Sequence, residues 1–190
     1  MFRKLSVAVI LFLFCATLYS QDVSPRKNTL KTTFLSFYTG SAKLTYERAI
    51  FSNQSIEVTG GVIGVAFDAK HNEPSGSLFR YAHKFIFSGH SQYPLNGMYV
   101  KPEFALSNFH YNNAMENTQR DKSTMGALMG CFGYQWAKRR LVLDGFVGAG
   151  GALGKACDTH YQHGFILWGL SDAHSKHIAL TFGAKVGIAL

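Results

Sequence analysis

The chain has 190 residues, 47% of them hydrophobic and 14% aromatic, and a formal net charge of +8. That length allows one domain with a sizeable interior and hardly two. The positive excess is scattered, without a Lys/Arg stripe or a recognition motif, which argues against a nucleic-acid partner.

The first element is a leader. "MFRKLSVAVILFLFCATLYSQD" places Arg3 and Lys4 before an apolar run to Phe14, then small or polar residues up to Ser20 and Gln21. Residues 1–20 read as a secretory signal cut before Gln21, leaving residues 21–190 as the exported domain. Cys15 as an acylated lipoprotein cysteine is disfavoured, because Phe14 is too large for the small residue such processing requires. Loss of Arg3 and Lys4 lowers the net charge to +6.

Beyond the leader no apolar run is long enough for a helical membrane span. Alternating segments recur instead, at about 29–38, 42–51, 55–68, 78–88, 97–110, 123–137, 140–153 and 177–189, with turn residues between them. Eight is an even number, and the connections differ in length. Those after the second and sixth strands are very short ("SNQ" and "KR"), whereas "YNNAMENTQRDK" and "GKACDTHYQHGFILWGLSDAHS" fall on the opposite side. The pattern predicts an all-β, eight-stranded, antiparallel, up-and-down transmembrane β-barrel with its amino end on the periplasmic side.

The faces follow from parity. In "NGMYVKPEFALSNF", Met98, Val100, Phe104 and Leu106 share one face with Pro102, and Tyr99, Lys101, Glu103 and Ser107 share the other. Pro102 lacks a ladder donor and predicts a bulge or weak pairing. In the hairpin "YQWAKRRLVL", a turn at Lys138 and Arg139 predicts Trp136 opposite Leu141 and Tyr134 opposite Leu143, with Gln135, Asp144, Cys131 and Phe146 on the neighbouring face. The charged faces together hold Lys43, Glu47, Glu57, Arg80, Lys84, Lys101, Glu103, Asp144 and Lys185, a nearly neutral set expected to pair inside a narrow lumen. Trp136, Phe87, Phe51, Phe67 and Phe109 are expected at the membrane interfaces.

A soluble or periplasmic ligand-binding barrel of lipocalin type has the same period with the faces exchanged. Small residues on the charged face (Gly148, Gly150, Gly183, Gly187), the two-sided loop lengths and a last strand running to Leu190 favour the membrane form. The segments "LTYERAI" (44–50), "NGMYVKPEF" (96–104), "GCFGYQW" (130–136) and "LVLDGFVGAGGALG" (141–154), in that order and spacing, resemble a family of small outer-membrane β-barrel proteins of Bacteroidetes-type bacteria. The resemblance implies a barrel of OmpX or OmpA-barrel appearance and no established reaction. The last strand resembles a barrel-insertion signal, but it ends in Leu190 where an aromatic residue is usual.

Chemistry-bearing residues are few. The long connection gathers Cys157, Asp158, His160, His163, Asp172, His174 and His177. Their types suit zinc or copper, but their spacing fits no established site, and a solvated loop is the expectation, with His160, His163, His174 and His177 as the candidate ligands. Cys131 and Cys157 are expected about 35 Å apart along the strands, which precludes a disulfide. Ser107 with His110, or Ser171 and Ser175 with His174, would be the nucleophile and base of a lipid-modifying barrel, but no G-x-S-x-G motif or placed acid orients them. Eight strands also leave no water-filled channel. The expectation is therefore a non-enzymatic monomer in the outer membrane that needs no cofactor. Its partners are outer-membrane lipid and lipopolysaccharide, the barrel-insertion machinery, and an unnamed extracellular ligand met by the loops.

Overall fold

The computed structural model describes residues 26–65, 73–87, 95–112, 120–157, 160–168 and 176–190; residues 1–20, expected as a leader, lie outside them. Among the described residues there are nine strands: β1 (Asn28–Thr33), β2 (Ser41–Phe51), β3 (Gln54–Ile63), β4 (Ser75–Ile86), β5 (Gly97–Asn112), β6 (Arg120–Lys138), β7 (Leu141–Lys155), β8 (Ile166–Trp168) and β9 (Lys176–Ala189). Strands β1 to β7 and β9 form a closed antiparallel barrel of eight, because β9 pairs with both β7 and β1. The extra strand, β8, lies against β9.

Alternation decides which way each residue points. In β5 every odd-numbered residue from Gly97 to Tyr111 is buried, and every even-numbered one from Met98 to His110 is exposed. Tyr99, Lys101, Glu103 and Ser107 therefore enter the lumen, while Met98, Val100, Phe104 and Leu106 lie outside. Pro102 also points outward. It causes no bulge: the β4–β5 ladder loses the two pairs between Ala82↔Glu103 and Phe85↔Val100 and resumes in the same register. A missing donor on one edge has weakened the pairing without shifting it.

Three sequence expectations are corrected. The first strand stops at Thr33, and residues Phe34–Thr39 form a 3₁₀ helix closed by Gly40 at φ 72°. The cause is local: the Ser36 hydroxyl donates to the Thr33 carbonyl at 2.6 Å and the Thr39 hydroxyl to the Ser36 carbonyl at 3.1 Å, so "FLSFYT" closes on itself. The β6–β7 turn is Arg139–Arg140, with Arg139 at φ 55°, which places Trp136 opposite Leu143 and Tyr134 opposite Gly145. That register differs from expectation by two residues, so every side chain keeps its face. Phe109, expected at an interface, is buried in the lumen, as its odd number in β5 dictates, whereas Phe51, Phe87 and Trp136 lie outside.

Inward glycines make room for large lumen side chains. A Cβ on Gly133 would lie 2.5 Å from the Tyr99 ring, and one on Gly183 would lie 2.9 Å from the Phe146 ring. Gly130, on the outer face of the same strand as Gly133, has nothing within 4 Å. Gly133→Ala is accordingly expected to destabilise the barrel by about 1–3 kcal/mol through overpacking, and Gly130→Ala to be nearly neutral, as read by denaturant unfolding. Equal effects would contradict the assignment of the faces.

Candidate functional site

Among the described residues the lumen holds ten buried Lys, Arg, Asp and Glu side chains: Lys31, Lys43, Glu47, Glu57, Arg80, Lys84, Lys101, Glu103, Asp144 and Lys185. Nine of these are the sequence candidates. The tenth, Lys31, sits at the centre of the network. Its Nζ lies 2.6 Å from Glu47, 2.7 Å from Asp144, 3.2 Å from Glu57 and 2.9 Å from the Gln135 Oε1. Lys84 approaches the same four groups from another strand, at 2.8 Å from Asp144, 3.1 Å from Glu57, 3.2 Å from Glu47 and 2.8 Å from Gln135.

A second cluster adjoins the first. Lys101 lies 2.7 Å from Glu103 and 3.3 Å from Glu57; Lys185 also pairs with Glu57, and Arg80 with Glu103. Phe146 projects among these cations, with its ring centroid 4.3 Å from the Lys101 Nζ, 5.0 Å from that of Lys185 and 5.4 Å from the Arg80 guanidinium carbon. The ring face supplies negative potential where carboxylates run short. Tyr99 serves similarly under Lys84, at 4.2 Å, and donates its hydroxyl to Asp144.

The set is not nearly neutral. Six cations face four carboxylates among the described lumen residues, and Lys43 makes no salt bridge within 4 Å. Lys31 escaped the sequence reading even though Thr29, Lys31 and Thr33 share a parity and all three are buried. That shared parity was the available signal.

The long connection after β7 is not simply a solvated loop. Gln162, His163, Phe165 and Leu167 are buried and close the mouth of the barrel. Phe165 and Leu167 pack with Met125, Met129, Ala152 and Ala179. Gln162 ties the segment down, accepting from the Ser123 hydroxyl at 3.0 Å and donating to the Cys157 sulfur at 3.1 Å. The Tyr161 and Thr39 hydroxyls share a hydrogen bond of 2.6 Å, which links the plug to the 3₁₀ helix, and burial raises the pKa of the Tyr161 phenol. A three-residue strand in an apolar stretch carries no usable period, so this plug was not legible in advance.

Several candidate residues are not brought together. His163 packs edge-on against Phe109, with ring centroids 4.8 Å apart, and the His160 Nδ1 lies 3.1 Å from the Leu167 carbonyl. His177 stands opposite Ala152 in the β7–β9 ladder, and His174 lies outside the described residues. No group of three metal-ligating side chains forms among the described residues. Ser107 points into the lumen and His110 points out, so they form no nucleophile–base pair; Ser171 and Ser175 lie outside the described residues. Cys131 and Cys157 are buried, and neither forms a disulfide among the described residues.

Removing one member of a buried pair leaves its partner uncompensated, which typically costs about 3–5 kcal/mol. Lys101→Ala and Glu103→Ala are each expected to unfold at lower denaturant concentration by that order, and the double variant by less than the sum of the two, because the charges are coupled at 2.7 Å. Additive losses in the double-mutant cycle would show that the pair is not coupled. In comparisons with known proteins the chain matches no family model, no curated protein and no solved structure.

Proposed function

We propose that this protein is an integral outer-membrane β-barrel, monomeric and non-enzymatic, whose lumen is sealed by its ion-pair network and plug and whose loop end meets an extracellular ligand or envelope component. The resemblance to small outer-membrane barrels implies the barrel of this reading and no reaction. One observation carries the reading: the barrel is inside out relative to a soluble one. Ten Lys, Arg, Asp and Glu side chains are buried within it, while Leu44, Val58, Phe79, Phe104, Leu128, Val147 and Phe182, from seven of its strands, are exposed on its outer surface.

The dimensions agree with a bilayer. On the outer face of β6, uncharged residues run from Thr124 to Trp136 between exposed Lys122 and Lys138. Its apolar part, from Gly126, is ten residue steps long, or about 33 Å at the usual rise and about 25 Å along the normal for a strand tilted ~40°, the height of an outer-membrane apolar band. Trp136, Tyr134, Phe51 and Phe87 gather near the turn end, and Phe34, Phe37 and Tyr38 near the loop end, as interfacial girdles do. In a soluble lipocalin-like barrel the same outer residues would meet water and the charges would occupy the ligand cavity, a cost on both faces.

Cell fractionation with external protease tests this reading. The chain is expected in the outer-membrane fraction, with a peptide tag inserted at Glu73 accessible on intact cells and one at Asn53 protected. Leu106→Arg, on the outer face, should impair insertion by about 2–4 kcal/mol if it sits near the midplane. A chain recovered from the soluble periplasm that tolerates Leu106→Arg would establish the soluble barrel instead.

A further inference from the structure

The barrel wall is incomplete where β1 ends. Strand β9 is paired along its whole length with β7, but its other edge is shared: β1 takes Lys185 to Ala189 and β8 takes Ile178 to Leu180. Residues 181–184 have no ladder partner on that edge. Strand β2 likewise has no ladder partner on this edge from Ser41 to Lys43, because the β1–β2 ladder ends at Thr32↔Leu44, although the Lys43 carbonyl accepts from the Thr32 hydroxyl at 3.0 Å. Between these edges lies a cavity of about 80 Å³. Its lining includes outward-facing Leu35 and Phe182 together with inward-facing Lys43, Arg80 and Thr181, so it passes through the wall from outer surface to lumen.

Its inner end is cationic. Lys43 is 7% exposed and has no ion pair within 4 Å among the described residues, and Arg80 directs Nη2 to the Thr181 hydroxyl at 3.1 Å. The charged groups acting on Lys43 are Arg80, Lys185 and Glu103, two cations to one carboxylate. Glu103 is already held by Arg80 and Lys101. A buried ammonium without a counter-ion is costly, and an oxyanion in the notch would supply both the missing charge and acceptors for Lys43 and Arg80. Bare backbone edges facing an apolar phase likewise require polar company.

We propose that this notch binds the phosphate of an anionic amphiphile, with the phosphate held by Lys43 and Arg80 and the acyl chain leaving past Leu35 and Phe182 along the outer wall. The inference rests on the membrane reading for the acyl chain and on the lumen charge for the phosphate. Lys43 offers a clean test because it carries no salt bridge in the network, so the barrel should fold without it.

The full chain in neutral maltoside micelles would be titrated with dodecyl phosphate and, separately, with inorganic phosphate, with bound phosphorus followed by NMR. One dodecyl phosphate per barrel is expected. Lys43→Gln should weaken it by about tenfold or more, the usual worth of a hydrogen bond to a charged group, and Lys43→Arg should retain it. Circular dichroism would confirm that both variants fold. Binding by Lys43→Gln equal to that of the wild type would overturn the site. Inorganic phosphate bound as tightly as dodecyl phosphate would identify a solvent ion as the occupant and overturn the lipid assignment. A chain that stays soluble without detergent would fail the membrane reading, whereas one that needs detergent but shows no Lys43-dependent binding would fail this inference alone.

Discussion

Eight strands enclose a space only wide enough for side chains, and this geometric limit governs the rest of the molecule. Ionised groups in so narrow a lumen cannot keep separate hydration shells, so they must share one another. Lys31 and Lys84 each reach Glu47, Glu57 and Asp144, and Glu57 is shared among four lysines. The two aromatic rings beneath the cations, Tyr99 and Phe146, fit only because Gly133 and Gly183 present no Cβ toward them. Small residues, large rings and charge thus follow from a single constraint on volume.

The parts of the structure that follow from parity were legible in the sequence, and the parts that depend on local exceptions were not. Period two assigned Lys101 and Glu103 inward and Leu106 outward without reference to any partner. It could not foresee that "FLSFYT" would leave the ladder, because Phe34, Leu35, Phe37 and Tyr38 read equally well as the continuation of a strand. The hydroxyls of Ser36 and Thr39 decide otherwise through bonds that each reach back three residues, one 3₁₀ turn. Lys31 was lost between these two cases: its parity was readable, but its role depends on groups over 100 residues away, Gln135 and Asp144. In the plug, Gln162 is placed by Ser123 and Cys157, which no spacing rule connects.

The early end of β1 has consequences beyond its own length. A longer first strand would have covered the β9 edge up to Leu180; instead, β8 covers Ile178 to Leu180 from the far side of the plug. The 3₁₀ helix and the plug then meet through Thr39 and Tyr161 above the uncovered edges. The gap in the wall and the closure of the mouth are in this sense two results of one local event. The same event leaves Lys43 beside the gap rather than under a continuous β1–β2 ladder.

The ion pairs also supply what hydrophobic parity lacks. A slip of one residue exchanges the faces of a strand and is heavily penalised, but a slip of two preserves them. The β6–β7 hairpin illustrates this: two registers differing by two residues satisfy the apolar pattern equally. In the observed one, Gln135 stands opposite Asp144 and Asp144 opposite Lys185, which sets all three at the level where Lys31 and Lys84 reach Asp144 and Gln135 together. In the alternative, Gly133 would stand opposite Asp144, and the amide that both ammoniums share would lie two residues away along the strand. The face of each side chain is thus set by apolar alternation, and the choice between even registers by where the buried charges find their partners.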